Sequence, residues 1–305
     1  MTVRLAAACV RKLIAAAACD PKLWVLDGDL ADSYAGTEFA EQWPERFVMA
    51  GIAEQNMVSM AAGMAACGLK PWVFSFAAFL AYRAADQIRV SLAQTRMPVA
   101  LVGSHAGGCG GRNGKTHQCV GDLALFGALP GMHVWTPCDA ADTAFATEAI
   151  LRTARPSYLR APREGCPDLP GAPGSLRWLS EPSSNIIVAN GLAAHWALEV
   201  RDELARRGVA VSVLHVAQFV PIPSALAAVI AEARRWFVIE DHVRHGGLTD
   251  ILAQATHQLP HAWFGWPAAW TGGSGDACGL RALCGLDATT IANSIMRAGH
   301  WDHVR

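Results

Sequence analysis

Short β-rich runs alternate with helical stretches through the first half of the chain, and this alternation most narrows what it can fold into. The runs lie at 23–26, 47–50, 71–74, 99–102, 133–135 and 157–160, with helical stretches between most of them. Strands joined through helices can lie parallel in one sheet, because a parallel pair needs a crossover of a dozen or more residues. Helices then cover both faces, so such strands read as nearly unbroken apolar runs. The composition agrees, with 52% hydrophobic and only 17% charged residues. The pattern predicts an α/β protein whose domains are each a largely parallel sheet covered by helices.

At 305 residues the chain is long for one domain and comfortable for two. A break in the pattern shows where they divide. Pro167, Pro170, Pro173 and Pro182, with several Gly and Ser, interrupt any periodicity and read as a linker over 166–184. That leaves a first domain at 1–165 and a second at 185–305. In the second, strands are expected at 186–189, 209–216 and 236–240 and helices at 192–207 and 224–234. Another helix starts at Gly247, and a last one follows Asp287 as its N-cap.

The net charge of −1, from 25 basic and 26 acidic residues, gives no electrostatic footprint for nucleic acid or an anionic membrane. Both function classes drop out. The nine cysteines have no paired Cys-x-x-Cys spacing, which suggests reduced, mostly buried thiols and a cytoplasmic setting. Arg11 and Lys12 split the apolar stretch near the start, so an amphipathic helix ending before Asp20-Pro21 is expected in place of a signal peptide.

The run Gly51-Ile52-Ala53-Glu54-Gln55-Asn56-Met57 puts one carboxylate on the first turn of a helix that follows a short strand. Ordinarily such an acid only complements the helix dipole. Here the face behind it, Met57, Met60, Ala61 and Met64, leaves it poorly hydrated. A carboxyl in such a place can keep a proton to share with a ring nitrogen. Phe76 and Phe79 stand where a strand runs into a helix, and by default they are core residues that could also stack on a flat heterocycle.

The loop from His105 to Gln118 is the richest in the chain. Gly114-Lys115-Thr116 imitates the end of a phosphate-binding P-loop, but the slot five residues before Gly114 holds Cys109 in place of the required glycine. The loop is therefore not a nucleoside-triphosphate site. Metal sites are equally hard to find. Asn56 follows Asp27-Gly28-Asp29 at a suggestive distance but belongs to the Glu54 run, and the pairs His242/His245 and His257/His261 lack companion ligands. No metal ligand set is expected in this chain.

The stretch from Phe47 through Gly68 closely resembles the pyrimidine-binding domain of the transketolase family, and the resemblance continues to the C-terminus. It covers the pyrimidine-binding and C-terminal domains and leaves out the diphosphate-binding domain. The resemblance implies thiamine diphosphate as cofactor, with magnesium held by a partner: an N-terminal-section transketolase subunit carrying the diphosphate and magnesium domain, in a heterotetramer. It implies that Glu54 activates the cofactor's aminopyrimidine and that Phe79, or next Phe76, stacks on that ring. His105 and His117, twelve residues apart, match the family's substrate-loop histidines and would manage protons near neutrality. Arg4, Ser33 and Arg163 fall at the sugar-phosphate positions and Asp29 at a hydroxyl-binding one. Arg112 and Asn113 stand where the family usually has Glu-Asp, which implies an altered donor. The implied activity is transfer of a two-carbon ketol unit from a ketose, with a phosphate-like anionic end, to an aldehyde. Three alternatives stay open: a 2-oxoacid dehydrogenase β subunit, a two-carbon transferase of secondary metabolism, and a non-catalytic subunit.

Overall fold

The computed structural model describes residues 2–109, 113–269 and 273–299. In chain order its first strands are β1 (Val3–Arg4), β2 (Leu23–Asp27), β3 (Phe47–Met49), β4 (Lys70–Phe76), β5 (Ala100–Ser104), β6 (His133–Trp135), β7 (Ser157–Arg160) and β8 (Gly165–Cys166). The later ones are β9 (Leu176–Trp178), β10 (Asn185–Ala189), β11 (Ser212–Val216), β12 (Gln218–Val220), β13 (Arg235–Val243) and β14 (Ala262–Trp266).

A seven-stranded sheet runs β12-β6-β7-β5-β4-β2-β3, and a five-stranded sheet runs β14-β13-β10-β11-β9. Every pairing in the first is parallel except β12 with β6, and every pairing in the second except β11 with β9. The sequence reading lacked both antiparallel edges, the parallel edge strand β14 and the short pair β1 and β8. β9 lies inside the stretch expected to be linker, and β12 crosses back from the second domain onto the sheet of the first. The strand expected from 209 begins only at Ser212.

Helix Leu5–Ala17 shows why these segments form where they do. Leu5, Cys9, Val10, Leu13 and Ala17 recur on one buried face, and the helix stops before Asp20-Pro21. The carbonyl of its last residue, Ala17, accepts from Arg46 Nη1 at 3.0 Å, and the same guanidinium donates to the Asp20 carbonyl at 3.1 Å. Among the described residues, no helix is long and apolar enough to cross a membrane.

The two sheets are locked together. One apolar cluster runs from Leu5 and Val102 of the first to Val213 and Ile239 of the second. Polar contacts set its orientation: Thr136 Oγ1 donates to the Val216 carbonyl at 2.9 Å, and the Thr136 amide donates to that of Ala217 at 2.7 Å. Arg177 Nη1 lies 2.9 Å from Asp139 and 3.1 Å from Asp142. All three are buried, so neither sheet can shift without leaving a charge unpaired in the interior.

Candidate functional site

In an open parallel sheet, ligands bind beyond the carboxyl ends of the strands. The expected site residues gather at that edge. Asp29 follows β2, Glu54 follows β3, Phe76 ends β4 with Phe79 one helical turn on, His105 follows β5, and Arg163 follows β7. Arg4 joins them because β1 pairs antiparallel with β8, placing Arg4 opposite Gly165.

Glu54 opens helix Glu54–Ala66, whose Met57, Val58, Ala61 and Ala65 are buried, and it is itself only 1% exposed. It is not the solitary carboxyl that the sequence suggested. Ser75 Oγ donates to Oε1 at 3.1 Å, and Arg83 Nη1 reaches Oε2 at 2.6 Å. The same guanidinium lies 4.1 Å from the centroid of the Phe79 ring. Arg83, Ser75 and Ser104 were missed from the sequence. A basic residue one turn past Phe79 was the available signal for Arg83.

Phe76 organises the histidines. His105 packs edge-on against it at 4.5 Å between centroids and His117 at 5.1 Å, while Phe79 lies 5.2 Å from His117. A polar path runs beneath them: His105 Nδ1 lies 3.2 Å from Ser104 Oγ, Ser104 Oγ donates to the Ser75 carbonyl at 3.2 Å, and Ser75 bonds Glu54. His117 Nδ1 lies 2.9 Å from Thr116 Oγ1.

His105 does not titrate near neutrality, as the sequence reading expected. Burial lowers its pKa to about 4, and the charges of Arg163, Arg4 and His117 push in the same direction. At neutral pH it is a neutral imidazole, able to donate from one nitrogen and accept at the other.

Arg4 and Arg163 line a cavity of about 580 Å³ together with Glu164, Gly165 and Asp276. Arg4 Nη1 donates to the Ser33 carbonyl at 3.0 Å, so Ser33 meets this group through its backbone. Burial raises the Glu164 carboxyl above its ordinary range. Asp29 is exposed, in the left-handed backbone region at φ 67°. Asn113 is exposed on the loop, whereas Arg112 lies outside the described residues.

The loop that carries the histidines is anchored at its base by the second domain. Gly107 and Cys119 form an antiparallel bridge, and the Gly108 amide donates to Asp241 Oδ1 at 3.1 Å. A Cβ at Gly107, where φ is +87°, would fall 1.8 Å from Asp241 Oδ2, so only glycine fits. Asp241 also accepts from Trp266 Nε1 at 2.6 Å and from Arg160 Nη1 at 3.1 Å. Arg160 in turn pairs with Asp122 at 2.8 Å.

Asp27 accepts from the amides of Leu30 and Ala31 and from Tyr34, so it caps a turn. The two histidine pairs are not on helices. His242 lies in β13, with Nε2 accepting weakly from the Ala124 amide at 3.4 Å, and His257 ends a helix in the left-handed region. A grouping the sequence did not suggest, Cys138, Asp142 and His215, has ligand atoms close enough to hold an ion. Burial there raises the Asp142 pKa, but hydrogen bonds from His215 and Cys138 and the charge of Arg177 outweigh it and bring the value to about 2. Asp142 meets Arg177 on Oδ1 and His215 and Cys138 on Oδ2, so its charge is already matched by a cation and the cluster reads as an interdomain ion pair.

The residues present fit an aminopyrimidine. Glu54 offers a buried acceptor, Phe76 and Phe79 are only partly buried, and a planar cationic group of similar shape already lies between Glu54 and the Phe79 ring. Residues 2–167 match the transketolase pyrimidine-binding domain, and residues 174–299 match the transketolase C-terminal domain. The chain belongs to the transketolase family. It is 33% identical over 286 residues to a Methanocaldococcus jannaschii protein provisionally named a transketolase C-terminal section, covering 90% of this chain and 89% of that one. It is 29% identical to one of the chains of the apulose-4-phosphate transketolase of Phocaeicola vulgatus, covering 79% and 80%. Its fold superposes on a split-gene transketolase solved as an inactive β4 tetramer with TM-score 0.87 and 30% identity, over 97% of this chain and 98% of that one. Transketolase from Campylobacter jejuni shares the fold at TM-score 0.83 and 19% identity, and there the match spans 47% of the longer chain.

Proposed function

We propose that this chain is the pyrimidine-domain subunit of a two-chain, thiamine diphosphate-dependent transketolase. It would move a two-carbon ketol unit from a ketose with an anionic end to an aldehyde. The observation that carries this reading is the convergence of Glu54, Phe76, Phe79, His105 and His117 at one sheet edge, beside a cavity lined by Arg4 and Arg163.

Carbon–carbon cleavage and retention of the two-carbon fragment are chemistry that thiamine diphosphate supplies when bound. The chain's own residues do the rest. Glu54 would hold the aminopyrimidine nitrogen and share a proton with it, and Ser75 fixes its Oε1. Phe79 stacks on the ring, with Phe76 holding the two imidazoles edge-on. His105, a neutral imidazole, and His117 would donate to the substrate's oxygens and take up protons from them. Arg4 and Arg163 bind its anionic end, where planar guanidinium groups suit phosphate or sulfonate, and Asp29 contacts a hydroxyl.

A partner would supply the diphosphate and magnesium site, completing a heterotetramer. Two observations support it. The chain matches about half of a single-chain transketolase. Met49, Ile52 and Tyr82, near the Glu54 and Phe79 segments, are 53%, 70% and 53% exposed, which is apolar surface that association would cover. The nine cysteines are free thiols, in keeping with a reducing cytoplasmic setting.

The donor would be unusual. Arg112 and Asn113 replace the acids that the family resemblance would put at these positions, and related chains are named for apulose-4-phosphate and, in a Clostridium strain at 34% identity over 65% of this chain, for 6-deoxy-6-sulfo-D-fructose. The test is reconstitution. Purified chain with thiamine diphosphate and magnesium should not turn over ketose phosphates or sulfonates, and adding a diphosphate-domain subunit should start turnover. Full activity of the pure chain alone would end the two-chain reading.

A further inference from the structure

Arg83 makes two contacts that together describe the seat of a different molecule. Its Nη1 is 2.6 Å from Glu54 Oε2, and its Cζ stands 4.1 Å from the Phe79 ring centroid. A guanidinium is flat, cationic and rich in N–H donors, so it offers Glu54 a proton donor and the phenylalanine a planar face. An aminopyrimidine bound to the same carboxylate and ring would present the same two features. Both cannot be there together.

We propose that Arg83 is a built-in occupant of the aminopyrimidine seat, which the cofactor must displace before Glu54 can act on it. The proposal rests on the cofactor reading above and adds a residue that sets how readily the cofactor enters. Three features make the exchange workable. Glu54 is 1% exposed, so leaving it ionised without a partner would be costly, and the empty subunit therefore needs a substitute cation. The Arg83 side chain is 41% exposed, so it can swing outward without crossing the core. Arg83 also sits at the C-terminal end of the short helix Ala77–Tyr82, at a break before Ala85–Gln87, where no helix interior must open to release it.

Displacement of Arg83 also explains why a seat confined to this chain would bind weakly. An aminopyrimidine gains contacts equivalent to those it removes, so the net gain must come from elsewhere on the cofactor. In the proposed assembly that gain is the diphosphate end, held by the other subunit. Arg83 would thereby tie activation of Glu54 to assembly.

The experiment uses the assembled complex and reads binding, not turnover. Thiamine diphosphate is titrated in the presence of magnesium, followed by tryptophan fluorescence and by the rise in melting temperature, for wild type and for Arg83→Met. With nothing to displace, the variant should bind about tenfold tighter, while its cofactor-free complex melts at a lower temperature because Glu54 has lost its partner. Arg83→Gln, which keeps polarity and removes charge, serves as the second variant if the methionine form does not assemble. An unchanged or weaker Kd in a folded variant would overturn the proposal, with weakening showing that Arg83 is a cofactor ligand. The underlying cofactor reading is judged separately by Glu54→Ala, whose thiazolium proton-exchange rate does not depend on where Arg83 rests.

Discussion

Asp241 should be worth more to this protein as a pair of acceptors than as a charge. Its Oδ1 accepts from the Gly108 amide at 3.1 Å and from Trp266 Nε1 at 2.6 Å, and its Oδ2 accepts from Arg160 Nη1 at 3.1 Å. Arg160 is also paired with Asp122, so two buried carboxylates share one guanidinium. Asp241→Asn keeps the oxygen facing Gly108 and Trp266 and loses the charge-assisted bond to Arg160. Removing one of two carboxylates offsets part of that loss, leaving a cost of about 1–2 kcal/mol. Asp241→Ala abandons the amide and the indole N–H in the interior as well. At roughly 1–3 kcal/mol for each unsatisfied donor, and allowing for their coupling, the total should reach about 4 kcal/mol. The assay is urea unfolding followed by tryptophan fluorescence. The same two variants should rank alike in turnover of the assembled enzyme, because Gly108 holds the base of the loop carrying His105 and His117. Equal midpoints for the two variants, or shifts below about 0.5 kcal/mol in both, would refute the reasoning.

Two further outcomes follow from the site. His105 has a folded pKa of about 4 against about 6.5 for an unperturbed histidine, so the unfolded chain binds more protons between those values. Its contribution to stability is present above about pH 6.5 and lost as the pH falls toward 4, and wild type should lose more stability over that window than His105→Gln. By the same argument His105 should give no kcat/KM limb near pH 6.5, and a limb there that His105→Gln abolishes would contradict the neutral imidazole. Converting Arg112 to Glu and Asn113 to Asp should move preference toward ordinary ketose phosphates by about 1–3 kcal/mol in relative kcat/KM. Identical donor rankings for the variant and wild type, over a panel of phosphorylated and sulfonated ketoses, would separate these two positions from substrate choice.

Most of the parallel strands were legible because their buried residues read as short apolar runs, but β14, parallel to β13 and only half-buried over its first three residues, was not. β6 and β7 match the expected bounds, and β2, β3 and β5 differ by one or two residues at an end. β9 and β12 were not, since each is three residues long and owes its existence to a remote partner edge. The candidate site shows the same division. Glu54, the two phenylalanines and the two histidines were legible from local runs. Arg83 was not, being 29 residues from Glu54 and meeting it only once β3 and β4 flank β2. The neutral state of His105 depends first on its burial and then on the charges of Arg163 and Arg4, which β8 and β1 bring together from opposite ends of the domain. Asp241 reaches Gly108 across 133 residues, so its role was invisible until both domains were in place.

The central claim is that Glu54 activates a thiamine cofactor held between this chain and a partner. Hydrogen–deuterium exchange at the thiazolium carbon, measured in the assembled complex with and without Glu54→Ala, tests it most directly. The account predicts that the variant complex assembles, retains cofactor, and exchanges at least about 100-fold more slowly, because the aminopyrimidine has lost its proton-sharing partner. An exchange rate equal to wild type in a cofactor-loaded variant would contradict it.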